Sequence, residues 1–162
     1  MWQRGEISIA DEYTAIEIST RVLVLQREAQ RVARARHHHR VMLATPAGEL
    51  HDVALRIAGD LLRDAGYKLL MLGVDVPTNA LARSARRHRP AVIWISSTLP
   101  GGLEFVLGSI ETVQQQCPEV GFVLGGHGLA GQLHTRPNVR VCQRVSDAVD
   151  TVDAIVKRAN LN

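Results

Sequence analysis

The sequence predicts an α/β fold of the flavodoxin-like (Rossmann-like) kind: a five-stranded parallel sheet with helices on both faces, preceded by one long helix. Three observations predict it. From residue 41 onward, five short apolar runs alternate with amphipathic runs, as β–α units do. Those short runs are nearly continuous in apolar residues, which suits strands covered on both faces. Residues 9–35 contain neither Pro nor Gly and repeat apolar residues at helical spacing.

Taken in order, the leading helix comes first. Ser8 is a good N-cap with Asp11 three residues on, and Ile9, Tyr13, Ile16, Val22, Leu23, Leu25, Ala29 and Val32 supply the apolar positions. Carried to about Ala35, the helix would extend roughly 40 Å. Such a helix cannot bury its stripe alone, so it must pack on the following domain, on another chain, or on protein outside this sequence. Val41–Thr45 is the first strand, and Asp52–Ala65 the helix after it. Lys68–Leu72 follows as the second strand, then a helix at Asn79–Arg87. Ala91–Ser96 and Gly121–Leu124 are the third and fourth strands, separated by a helix at Leu103–Gln116. A short helix near Leu129 and a fifth strand at Val139–Cys142 precede a closing helix, Ser146–Ala159. Ser146 is the expected N-cap there, with Asp147 favourable in the first turn.

Composition limits the function classes. At 162 residues, one domain with a modest extension is expected, and 46% apolar residues suffice for a core. No apolar run is long enough to span a bilayer and no signal segment opens the chain, so a cytoplasmic location is the expectation, with no membrane partner. Cys117 and Cys142 read as ordinary reduced thiols rather than a disulfide framework. The net charge is only +3, although arginine clusters at 31–36 and 83–89. Either cluster could meet nucleic acid or an acidic partner. Without interleaved aromatics or a DNA-binding motif, solvated helix faces are the better reading. His37, His38 and His39 read as a polar connector.

In such sheets ligands bind beyond the C-terminal strand ends, at the switch point beside the first strand. The residues there are Thr45-Pro46-Ala47-Gly48-Glu49-Leu50-His51, then Leu72-Gly73-Val74-Asp75-Val76-Pro77, Ser96-Ser97-Thr98-Leu99-Pro100-Gly101-Gly102 and Leu124-Gly125-Gly126-His127-Gly128. A phospho-receiver needs a carboxylate at the end of the third strand, where this chain has serines. A dinucleotide site needs G-x-G-x-x-G after the first strand, which is missing. Thr45 alone is weak support for a flavin phosphate loop. What stands out is His51, at a strand-to-helix edge with a carboxylate two residues away, an arrangement suited to an axial metal ligand. No nucleophile–base pair stands out, so an autonomous enzyme is not expected.

Together these loops resemble the cobalamin-binding domain of corrinoid proteins over residues 40–160. The family's Asp-x-His-x-x-Gly reads here as Glu49-Leu50-His51-Asp52-Val53-Ala54, its second strand and loop as Tyr67 to Pro77, and its Ser-x-Leu-like and Gly-Gly segments as Ser96-Ser97-Thr98 and Gly125-Gly126. The resemblance implies that His51 is the lower axial ligand of cobalt, displacing the cofactor's own benzimidazole. It also implies that Glu49 accepts a hydrogen bond from the second imidazole nitrogen. The displaced tail would thread past Ser96, Thr98, Leu99, Gly125, Gly126 and His127, with Ser96 donating to the freed benzimidazole nitrogen. Leu50, Asp52, Val53, Ala54, Gly73 and Val74 would complete the cofactor site. Glu49 stands where carriers usually have Asp, and Ala54 where the family has Gly; the added methyl is expected to weaken binding.

Residues 2–25 resemble the last part of the helical cap in light-sensing cobalamin regulators of the MerR type. The spacing of Trp2 and Glu12 matches the residues that cover the upper face of the cofactor there. Tyr13 replaces the following histidine and Gln3 the one after Trp, so an upper histidine–cobalt bond from that site is not expected. The implied organisation is a partial helical cap at 1–36 and a cobalamin-binding domain at 37–162. The implied function is a light- or cofactor-responsive regulatory module taking adenosyl-, methyl- or hydroxocobalamin. It would form a homodimer through the first helix, with a DNA-binding domain or regulator partner outside this chain. The alternatives are a methyl-carrying corrinoid protein serving separate methyltransferases and a related regulatory domain holding heme or no cofactor.

Overall fold

Alternation along the central strands divides the core into two layers. Met42, Ala44, Ile93, Ile95, Phe122 and Leu124 point to one face of the sheet, and Val41, Leu43, Val92, Trp94 and Val123 to the other. The computed structural model describes residues 8–29, 37–99, 101–129 and 138–159, and the chain falls into two units, Met1–Val32 and Ala33–Asn162.

The second unit runs β1 (Arg40–Pro46), α2 (Val53–Asp64), β2 (Lys68–Val76), α3 (Thr78–His88), β3 (Val92–Ser96), α4 (Gly102–Gln116), β4 (Gly121–Gly125), a 3₁₀ turn (His127–Leu129), β5 (Val139–Cys142), a second 3₁₀ turn (Val145–Asp147) and α5 (Ala148–Ala159). All neighbouring strands are parallel, in the order β2-β1-β3-β4-β5. This is the flavodoxin-like order, with its switch point beside β1. Leu81, Ala82 and Ala85 of α3 and Val106, Ile110 and Val113 of α4 cover one face. Leu55, Ala58 and Leu62 of α2 and Val152, Ile155 and Val156 of α5 cover the other. Each fully buried aliphatic side chain of these layers contributes about 1.5–3 kcal/mol.

Two local expectations change. β2 does not stop at Leu72 but continues to Val76, because Gly73 (φ 94°) and Asp75 (φ 54°) take left-handed backbone while the pairing with β1 shifts register. Ser146 is not the cap of the last helix: it lies inside the 3₁₀ turn and donates to Asp147 Oδ1 at 3.0 Å. That turn fills the first turn of the expected helix, so the α-helix starts at Ala148.

The first unit contains α1 (Ile9–Ala29), about 30 Å long. Its cap is the expected one. Asp11 N donates to Ser8 Oγ at 3.1 Å, and Ser8 N donates back to Asp11 Oδ2 at 2.9 Å, a reciprocal capping box. Ile9, Tyr13, Ile18, Val22 and Leu25 are all exposed. The expected helical turns beyond Ala29, and the arginines at 31–36, lie outside the described residues. Both cysteines are buried and free, and burial raises both thiols above the ordinary value. Among the described residues no helix is long and apolar enough to cross a membrane.

Candidate functional site

The loop that closes β1 is held from both sides before it delivers His51. Thr45 Oγ1 donates to the Glu49 carbonyl at 2.5 Å and accepts from Asp75 N at 3.1 Å. Asp75 N also donates to the Glu49 carbonyl at 3.1 Å, and Asp75 Oδ1 accepts from Gly48 N at 2.8 Å. The irregular end of β2 therefore clamps the turn. Neither Thr45 nor Asp75 is a site residue that sequence reading singles out. The hydroxyl at the end of an apolar strand and the Asp between Gly73 and Pro77 are the available signals.

Glu49 is 2% exposed and accepts at both oxygens. Oε1 takes His51 N at 3.0 Å and His51 Nδ1 at 2.5 Å; Oε2 takes Thr98 N at 2.6 Å and Leu99 N at 3.0 Å. Burial pushes this carboxyl up. The hydrogen bonds from the His51 backbone, the Thr98 backbone, the His51 ring and the Leu99 backbone outweigh it, and the net shift is downward. Glu49 is thus a carboxylate at neutral pH, an acceptor only. His51 Nδ1 must then carry the proton, which leaves the lone pair of a neutral ring on Nε2. Nε2 has no partner among the described residues, and the His51 side chain is 36% exposed. The donor is oriented, electron-rich and open.

Around it the residues separate by role. Asp52 is buried at the start of α2, where it makes no cap to the helix and instead takes both Arg56 Nε (2.8 Å) and Nη2 (2.7 Å). Val53 is half-buried in the first turn of α2. Leu50, Val74 and Leu99 are exposed apolar side chains, each adjoining a residue of the Glu49 hydrogen-bond set. Gly73 has open space where a Cβ would stand.

Beside this loop lies a cavity of about 590 Å³. Ala54, Ser96, Thr98, Gly125, Gly126 and His127 line it, together with Trp94, Val141, Cys142, Gln143 and Val145. The cavity thus gathers six of the expected site residues and five that sequence reading misses. Ala54 is exposed in this wall, so its methyl occupies space that a glycine would leave free. Ser96 is buried, and its hydroxyl makes no hydrogen bond among the described residues. Ser97 belongs elsewhere: it lines a separate 210 Å³ pocket with Glu49, Leu99 and Phe105. Gly126 (φ 100°) is required, since a Cβ there would lie 2.2 Å from the Ser97 carbonyl oxygen. Of the expected upper-face residues, Glu12 and Tyr13 lie on α1 in the first unit, Glu12 half-buried and Tyr13 exposed. Trp2 lies outside the described residues.

Comparison with known proteins bears on the same region. Residues 39–154 match the family model described as B12 binding domain. The chain is 32% identical over 89 residues to the HTH-type transcriptional repressor CarA of Myxococcus xanthus, covering 55% of this chain and 31% of CarA. It is 26% identical over 145 residues to CarH, a repressor of the same description and organism, covering 90% of this chain and 46% of CarH. It therefore spans less than half the length of either relative. Among solved structures, the Methanosarcina barkeri monomethylamine corrinoid protein shares the fold, with a TM-score of 0.62 at 17% identity, over 80% of this chain and 62% of that one. With a switch-point histidine, a lined cavity and a family match over most of its length, the chain belongs to the B12-binding domain family, whose cofactor is cobalamin.

Proposed function

We propose that this chain is the cobalamin-binding sensory module of a transcriptional regulator, with His51 as the lower axial ligand of cobalt. One observation carries the reading: the Glu49 carboxylate accepts the hydrogen bond of His51 Nδ1–H and leaves Nε2, on a part-exposed ring, without a partner among the described residues. The donor set fits the group. Among the described residues no cluster of three or more His, Cys, Asp or Glu could hold a metal ion. A metal held here by one imidazole must bring its remaining ligands with it, as cobalt does inside a corrin.

The chain's own residues divide the work. Glu49 keeps the tautomer and raises the basicity of His51. Leu50, Val74 and Leu99 offer an apolar rim to the corrin face. The 590 Å³ cavity receives the nucleotide tail, with Ser96 as a donor to it and the glycines allowing close approach. By the resemblance noted above, residues 1–36 would be the last part of a cap, with Trp2, Glu12 and Tyr13 as its counterparts of the cofactor-covering residues. Adenosyl- or methylcobalamin held by His51 would supply a light-sensitive cobalt–carbon bond. The exposed apolar side chains of α1 then serve as the output surface, a homodimer contact that changes on illumination. Similarity to the CarA and CarH repressors supports regulation through a DNA-binding domain or partner outside this chain; a cytoplasmic location and no catalysis by the module are part of the proposal.

The test is to add adenosyl-, methyl- and hydroxocobalamin to the purified chain in the dark, record spectra, illuminate, and measure particle size. His51→Ala is expected to abolish histidine-ligated binding; a variant with the parent's spectrum and affinity would falsify the ligand assignment. Unchanged particle size after complete photolysis removes the α1 output. The second reading, a methyl-carrying corrinoid protein, draws on the half-exposed His51 edge, which a carrier needs in order to present cobalt to separate enzymes. Methyl transfer to the reduced corrinoid by a partner methyltransferase would favour it.

A further inference from the structure

Trp94 is the largest side chain in the wall of the 590 Å³ cavity. It projects from the same face of β3 as Ser96, two residues away, so the indole and the hydroxyl follow one another along the strand toward the rim. In register Trp94 faces Val123, and Ser96 faces Gly125. The indole nevertheless leans toward the rim: a Cβ built on Gly125 would lie 3.1 Å from Trp94 Nε1 and 3.5 Å from Cε2 and Cζ2. The missing side chain at 125 is what leaves room for the N–H edge of the ring.

That N–H has no partner among the described residues. Trp94 is 3% exposed, and its Nε1 donates to nothing among the described residues. It is not sealed off either. Among those residues the only side-chain polar atom that is both enclosed and unpartnered is Ser97 Oγ. The small open area of Trp94 therefore includes its N–H, in a side chain that lines the cavity. Buried indoles ordinarily find an acceptor, because an indole nitrogen is a donor and nothing else. Here the acceptor has to come from whatever occupies the cavity.

Building on the cobalamin reading above, we infer that Trp94 Nε1 donates to the nucleotide tail, and that the Trp94–Gly125 pair makes the cavity selective for corrinoids whose tail ends in an aromatic base with a ring-nitrogen acceptor. The base offers one free ring-nitrogen lone pair: Trp94, the deeper donor, takes it, and Ser96, nearer the rim, donates to the sugar or phosphate oxygens of the tail rather than to the base nitrogen that the resemblance gives it. A corrinoid without a tail meets only the rim and His51, and is indifferent to residue 94. A tail ending in a phenol-type base fills the space but lacks the ring nitrogen.

The test is a set of absorbance titrations in the dark with hydroxocobalamin, with tail-free cobinamide and with a cobamide carrying a phenol-type base. The proteins are the parent, Trp94→Phe and Gly125→Ala. The parent is expected to bind hydroxocobalamin most tightly. Both variants should lose about five- to tenfold in affinity for hydroxocobalamin, the size of one net hydrogen bond, and stay within about twofold for cobinamide. Cobinamide uptake doubles as a check that each variant folds. On the parent alone, the indole N–H signature in ultraviolet resonance Raman should shift with hydroxocobalamin and not with cobinamide. Equal losses for both corrinoids, no loss in Trp94→Phe, or an indole signature that ignores the tail would each overturn the assignment. A parent that takes up no corrinoid defeats the cobalamin reading and this one with it. A parent that binds without tail-selective losses in the variants defeats this one alone.

Discussion

The loops after β1 and after β4 both close on residues 97–99, and they do so by opposite means. From the β1 side, the Glu49 carboxylate takes the N–H groups of Thr98 and Leu99. From the β4 side, backbone meets backbone: Ser97 N donates to the Gly125 carbonyl at 2.9 Å, and Gly128 N to the Ser97 carbonyl at 3.1 Å. That contact exists because Gly126 and Gly128 carry no Cβ; one would lie 2.2 and 2.3 Å from the carbonyl oxygens of Ser97 and Leu99. One loop is held by a charge and the other by the absence of side chains. The first can be tuned by proton activity and by single-atom changes. The second is insensitive to pH and tolerates almost nothing. The β1 loop also carries the imidazole, so adjustable chemistry and the candidate ligand sit on the same side of the site.

Four measurements would break or sharpen that contrast. The largest effect should come from Gly126→Ala, which adds left-handed strain to a clash with backbone that cannot swing aside. A loss of about 2–4 kcal/mol is expected in denaturant unfolding, with no dependence on pH between 4 and 8. Glu49→Gln should cost about 2 kcal/mol, since a neutral amide cannot replace charge-assisted acceptance at both oxygens. The same variant should weaken cobalamin binding by about 10–100-fold in spectral titration, as losses behind a ligating histidine typically do. Parent affinity in that variant would detach Glu49 from the ligand's function.

The third measurement is the pH dependence of the stability difference between the parent and Glu49→Gln. The folded Glu49 value lies below its ordinary value of 4.5. A group depressed in this way stabilises fully above the unfolded value, and its contribution disappears as pH falls through the folded one. The difference should therefore be flat above about pH 5 and shrink progressively in more acidic solution. A difference that grows on acidification would reverse the sign argued here. The smallest effect belongs to Thr45→Val. It keeps the shape but leaves the Asp75 N–H with only the Glu49 carbonyl, at a cost of about 1 kcal/mol in thermal or chemical unfolding. A larger loss would mean that the hydroxyl, rather than Asp75, holds the β1 turn.

Much of this was legible along the chain because it depends on local pattern. Near-continuous apolar runs announced the parallel strands, and Ser8 with Asp11 announced the start of α1. The pairing of Glu49 with His51 was legible because two residues across a turn can meet whatever the rest of the protein does. Misses occurred where distant segments decide. The continuation of β2 past Gly73 depends on its register with β1, and the last helix starts at Ala148 because a 3₁₀ turn takes its expected first turn. Ser97 and Ser96 look alike in sequence but open on different pockets, since neighbouring residues of an extended chain point to opposite faces.

Sequence alone therefore determined the layer order, the switch-point histidine and its carboxylate partner, because hydrophobic periodicity and short-range spacing are properties of contiguous residues. Only the tertiary structure decided which donors face the cavity, why Gly125 and Gly126 carry no side chain, and that Trp94 leans over the gap beside Gly125. Those facts arise from close approach between strands far apart in the chain, where the position of a single Cβ determines what fits.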